Sequence, residues 1–113
     1  MAKPLIIFAP GSFTPATAYS SLIPHLESSG YETHVYDLPT ASRTPADNLP
    51  AATLAEDAQF FRGILTALCD QAQNVVIVGH SYGGMVISEA VRGLTGRRVG
   101  KGRVVGRCEF SFV

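Results

Sequence analysis

VVIVGHSYGGMV, residues 75–86, is an apolar run that stops at a glycine, presents one serine, and resumes through two more glycines. Val75 to Val78 are all β-branched, the composition of a strand buried on both faces. Gly79-His80-Ser81-Tyr82-Gly83 fits the pattern G-x-S-x-G, which predicts a sharp strand-to-helix turn with Ser81 at its tip. A serine in that turn takes a positive φ, a strained state found at functional sites. Gly79 and Gly83 have a steric role beside it, because a Cβ at either place would crowd the turn.

The flanking segments supply a sheet for such a turn. KPLIIFAPGS, residues 3–12, predicts a short buried strand over Pro4 to Ala9, ended by Pro10-Gly11. Residues 16–28 predict a helix with Leu22, Ile23 and Leu26 on its apolar face and Gly30 as its stop. Pro24 lies inside it and calls for a kink or a late start. YETHVYDLP, residues 31–39, alternates as a less buried strand does. TASRTPADNLP, residues 40–50, has two prolines and little apolar content, and predicts a loop. Thr53-Leu54-Ala55-Glu56 has capping-box spacing, and Leu54, Ala58, Phe61, Leu65 and Leu68 form an apolar stripe behind it. The central strand is expected over 74–79, its helix over 82–94, and a fourth strand within RVVGRCEFSFV, residues 103–113. This order predicts an α/β fold: a short parallel sheet of about four strands with flanking helices and right-handed crossovers. Ligand sites in such sheets lie at the carboxyl ends of the strands, where Pro10 to Phe13 and Ser81 fall.

Composition narrows the function classes. The chain of 113 residues suits one domain, and its 46% hydrophobic and 16% charged content suits a globular one. A net charge of zero supplies no global field for nucleic acid or a membrane surface. No apolar stretch approaches a membrane span or the core of a signal peptide. Cys69 and Cys108 form neither a disulfide framework nor a metal spacing, so free thiols in the cytoplasm are expected. There is no P-loop, no G-x-G-x-x-G and no metal-ligand spacing. Charge is uneven along the chain: residues 1–91 hold three Lys/Arg and eight Asp/Glu, and residues 92–113 hold six and one. The division expected is therefore 1–98 as the body and 99–113 as a basic, solvated or poorly ordered tail with a possible strand.

KPLIIFAPGSF, SLIPHLESSGYETHVYDLP and VVIVGHSYGGMVISEAV resemble the N-terminal half of the α/β-hydrolase superfamily. The nearest likeness is to the esterase-like branch that holds plant methyl esterases, hydroxynitrile lyases and similar fungal hydrolases. The resemblance implies a strand order of 2-1-3-4 and makes Ser81 a nucleophile toward a small ester-like substrate, with no cofactor. It makes the Tyr82 backbone N–H one oxyanion donor and Ser12 or Phe13 the other. That branch usually has His-Gly in the first loop, where this chain has Pro10-Gly11.

The family's chain order is Ser, then Asp or Glu, then His. After Ser81 the acids are Glu89 and Glu109, and no histidine follows. His80 adjoins the serine with its side chain expected to point away, while His25 and His34 fall on the first helix and second strand. Asp37 ends that strand, in the wrong place for a relay acid. Glu89 reads as a helix-surface charge and Cys69 as part of an apolar stripe. Three expectations follow: a shortened, weakly active serine hydrolase whose working form continues past Val113; an inactive fragment that binds a partner or itself through an exposed sheet edge; or a small-molecule binding module.

Overall fold

The computed structural model describes residues 3–110. Four strands, β1 (Leu5–Ala9), β2 (Thr33–Val35), β3 (Val75–His80) and β4 (Val104–Phe110), form one sheet in the order β2-β1-β3-β4. All three pairings are parallel, with Ile7 opposite both His34 and Ile77, and Val78 opposite Cys108. This is the expected sheet, in the expected order. The last three residues assigned to the fourth strand, 111–113, lie outside the described residues.

One face of the sheet carries the core. Ile7, Ala9, Val75 and Ile77 pack there against Phe61 and Leu65 of α3 (Leu54–Asp70) and Val86, Ile87 and Ala90 of α4 (Tyr82–Ala90). The stripe read from the sequence does this packing, and the Thr53 hydroxyl accepts the Glu56 N–H at 3.2 Å as a capping box requires. The opposite face is thinner. Phe8 is buried beneath Tyr19, but Val76 and Val78 are only half-buried. β3 is therefore closed on one face rather than both, because β-branched residues favour the strand without determining what covers it.

Helix boundaries differ from expectation where proline intervenes. Residues 16–28 form a 3₁₀ turn (Ala16–Tyr19) and then α1 (Ile23–Ser28), with Pro24 in the first turn, where its missing N–H leaves no bond unmade. Gly30, at φ 90°, ends α1: its N–H reaches Glu27 C=O and the Tyr31 N–H reaches Leu26 C=O, a Schellman closure. The expected loop over 40–50 holds α2 (Pro39–Ser42) and a 3₁₀ turn (Pro45–Asp47), each opened by a proline. α4 stops at Ala90, and Gly93 turns the chain at φ 76°.

The basic segment is not a loose tail. Lys101 pairs with Asp70 at 3.0 Å, Arg103 donates to the Thr95 carbonyl at 3.1 Å, and Arg107 pairs with Glu109. Charges gathered in sequence are distributed to separate partners by the strand. β4 bulges between its pairings with Val75 and Val76, leaving Val105 partly exposed at the sheet edge. Among the described residues no helix is long and apolar enough to cross a membrane.

Candidate active site

The turn after β3 has the geometry its glycines demand. Ser81 sits at φ 56°, ψ −117°, as the N-cap of α4. A Cβ on Gly79 would lie 2.7 Å from the Gly84 nitrogen. One on Gly83 would collide with the Ala9 carbonyl and lie 2.7 Å from the Pro10 carbonyl oxygen. Neither contact is tolerable, so glycine at both places lets α4 start directly against the end of β1. The Ser81 N–H donates to Phe110 C=O at 2.7 Å, which ties the turn to β4 as well.

The loop after β1 is a tight turn closed by the Thr14 N–H on Gly11 C=O at 3.1 Å. Phe13 occupies its third position at φ 55°, where glycine is usual, and its side chain is 78% exposed. Ser12 and Phe13 line a cleft of about 720 Å³ with Thr40, Arg43, Leu54 and Tyr82. Ser81 lines a neighbouring recess of about 390 Å³ with Met85, Ser88, Glu109 and Phe110. The loop residues and Tyr82 thus share one cleft, and the exposed serine opens on the next.

His80 turns to the other face of the sheet. Its Nδ1 lies 2.6 Å from the Tyr19 hydroxyl, and its ring stacks on Phe110 at 4.8 Å. The Tyr19 oxygen also accepts the Gly11 N–H at 2.9 Å, so one phenol joins the first loop to the residue before Ser81. His25 is exposed on α1, and His34 is exposed on β2, 3.5 Å from Glu32. Asp37 accepts the Ala16 N–H at 2.6 Å, and Glu89 pairs with Arg92 at 3.3 Å. None of these side chains lines the recess at Ser81. The acid that does is Glu109, which is held by Arg107.

The sequence model of the Alpha/beta hydrolase family matches residues 6–108. The chain belongs to that family. It is 43% identical over 105 residues to "Probable hydrolase R7" of a Phoma species, which covers 93% of this chain and 42% of that protein. It is 36% identical over 107 residues to "Alpha/beta hydrolase nvfD" of Aspergillus novofumigatus, covering 93% and 41%. The chain therefore spans about two-fifths of the length of these curated relatives. The family match runs from β1 into β4, across the whole described sheet.

One cluster beside the hydrolase turn escaped sequence reasoning. Asp57 in α3 is fully buried, and its carboxylate accepts three hydrogen bonds. They come from Thr40 N–H at 3.0 Å, Thr40 Oγ1 at 2.7 Å and Tyr82 Oη at 2.8 Å. Burial, together with the bond to Asp57 and its negative charge, pushes the Tyr82 phenol up to about 12. The signal for this cluster is an acid at 57 on the same helical face as Leu54 and Phe61, where the stripe calls for an apolar residue. Cys69 is buried and its thiol is raised by that burial, while Cys108 is exposed. Among the described residues no group of three His, Cys, Asp or Glu side chains could hold a metal ion.

Proposed function

We propose that these residues form the nucleophile-bearing part of a serine hydrolase that acts on a carboxylester or related small acyl substrate. The supporting observation is the Ser81 backbone, held at φ 56° between β3 and α4 with its hydroxyl at an open recess. In this reading Ser81 Oγ attacks the carbonyl carbon and gives its proton to the leaving alkoxide, by way of a base. The acyl-enzyme is then hydrolysed by water, and no cofactor takes part. The oxyanion accepts from the Tyr82 N–H and from Ser12 or Phe13 N–H, each donor being worth about 3 kcal/mol in the transition state. Phe13, Leu49, Ala52 and Leu54 give the adjoining cleft an apolar flank for the substrate's hydrocarbon part.

The base and the acid are the missing components. No histidine follows Ser81, and the three present lie on α1, on β2 and against Tyr19. We therefore propose that the triad's acid and histidine lie beyond these 113 residues and that this chain is weakly active or inactive by itself. Losing a triad histidine costs about 10⁶ in kcat. The same placement of the histidines favours a second reading, a non-catalytic fragment that binds a small molecule or self-associates through the exposed edge of β4. Neither reading calls on nucleic acid or a membrane, and both suit a cytoplasmic protein with two free thiols.

A fluorophosphonate at high concentration separates the two, because an oxyanion hole without its base still supplies about 10³-fold over water, enough for slow reaction at Ser81. Under the hydrolase reading it labels wild type and not Ser81→Ala, while p-nitrophenyl ester turnover differs little between them. Equal labelling of the two proteins would leave the binding reading standing. Ester turnover about 10³-fold above the variant would instead reveal a base within the chain.

A further inference from the structure

Among the described residues Asp57 is the one acidic side chain buried from solvent. None of the ion pairs among those residues includes it. A carboxylate in that state costs several kcal/mol unless hydrogen bonds replace its water. The three it accepts come from only two residues, Thr40 in α2 and Tyr82 at the first position of α4. Both line the same cleft as Ser12 and Phe13. Core stability alone does not call for this arrangement, since a well-packed apolar side chain at 57 would continue the stripe without the desolvation cost.

What the carboxylate supplies is direction. The Tyr82 ring has two soft torsions, and a bond at its far end fixes both. The backbone of Tyr82 is thereby tied to α3, across 25 residues of sequence. Its N–H is the first of α4 and has no acceptor within the helix. Resting on the reading of that N–H as an oxyanion donor, we propose that Asp57 is a positioning residue for hydrolysis at Ser81. Through the Tyr82 phenol it sets the donor against the serine, and through Thr40 it holds the α2 wall of the cleft. The raised Tyr82 pKa agrees with this, because the phenol keeps the proton it donates until about pH 12.

The test uses Asp57→Asn, Tyr82→Phe and the double variant in the full chain. Ultraviolet titration, with Tyr82→Phe as the subtraction, follows the Tyr82 phenol. In Asp57→Asn its midpoint falls toward the ordinary value of about 10, and an unmoved midpoint overturns the proposal. The rate of Ser81 modification by a fluorophosphonate reads the positioning. Each single variant slows it about ten-fold, within what an ångström of misplacement costs. The double is no slower than the slower single, because both act along one line. Unchanged rates, or a double loss equal to the product of the single losses, overturn the proposal, since independent damage multiplies. Should Asp57→Asn fail to fold, Tyr82→Phe, which keeps both ring and carboxylate, carries the same rate comparison. If wild-type Ser81 takes no label above Ser81→Ala, the serine reading itself fails. The decision on Asp57 then falls to the Tyr82 amide resonance, which shifts in Asp57→Asn while those of β1 stay, or else overturns the proposal by staying too.

Discussion

The two flanks of the turn at Ser81 are built differently. Toward α3, Tyr82 is bonded to a buried carboxylate, and Gly83 lies against the carbonyls of Ala9 and Pro10. Toward β4, Ser81 shares its recess with exposed Met85 and with Glu109, whose partner is the exposed Arg107. The first flank is fixed by backbone contact and by bonds to a carboxylate that is itself buried. The second has the β3–β4 ladder, the Ser81 N–H bond to Phe110 and the stack of Phe110 on His80, while its Arg107–Glu109 pair is exposed and contributes about 0–1 kcal/mol. The strained backbone of Ser81 is held from both flanks, and the α3 side adds a buried carboxylate to the hold.

Adjacent glycines give the widest contrast between the flanks. Gly83→Ala drives a Cβ into the backbone of the first loop and should cost about 3 kcal/mol, the upper end of overpacking. Gly84→Ala points its Cβ at the Glu109 side chain, 3.4 Å from Cγ, and that flexible chain can move aside. The better helix propensity of alanine, about 1 kcal/mol, then leaves Gly84→Ala near neutral or stabilised. Urea unfolding of the two variants measures the difference. Comparable losses in both would show that the β4 flank is as rigid as the other.

Carboxylates give the next contrast. Asp57→Ala removes the acceptor of the Thr40 N–H, the Thr40 hydroxyl and the Tyr82 hydroxyl, all part-buried, and should cost about 1–3 kcal/mol. Glu109→Ala removes an exposed partner of Arg107 and should cost under about 1 kcal/mol. The same unfolding measurement ranks them. A loss at Glu109 matching that at Asp57 would make the ion pair, and not the buried network, the stronger tie beside the turn.

The same contrast governs what could be read from the sequence. The capping box at Thr53 and the stop at Gly30 rest on neighbouring residues, and patterns of neighbours are visible in a sequence, whereas the sheet order came with the family resemblance. The crowding at Gly79 is visible as well, because it arises against Gly83 and Gly84 in the same turn, whereas Gly83 meets the distant Ala9 and Pro10 and is announced only by the G-x-S-x-G pattern. The Asp57 cluster joins residues 17 and 25 positions apart, and no local pattern announces such partners. The ordering of the basic segment was hidden for the same reason, since Lys101 finds Asp70 across 31 positions while its neighbours Arg97 and Arg98 stay exposed. Phe13 at positive φ was hidden in another way, because a bulky side chain is a poor choice for that region and gives no hint of it. The covering of β3 on one face depends on which helices dock, and its β-branched run carries no record of that.

Alkaline pH gives the smallest expected effect, because Tyr82 keeps some contact with solvent. Its phenol is raised from 10.0 to about 12 in the folded chain. A group raised on folding holds its proton more tightly in the folded state. Its stabilising contribution is complete below the unfolded value and is lost as pH climbs through the folded one. The stability of wild type over Tyr82→Phe should therefore be constant below about pH 10 and shrink between pH 10 and 12. Asp57→Asn should move that decline to lower pH, because removing the carboxylate removes two of the causes of the shift and leaves burial. Urea midpoints across this range, taken as differences between variants, cancel the titration of every other group to first order. A wild-type advantage that stays flat through pH 12 would mean that the phenol is not held by a buried carboxylate, and the two flanks of the turn would then be equally loose.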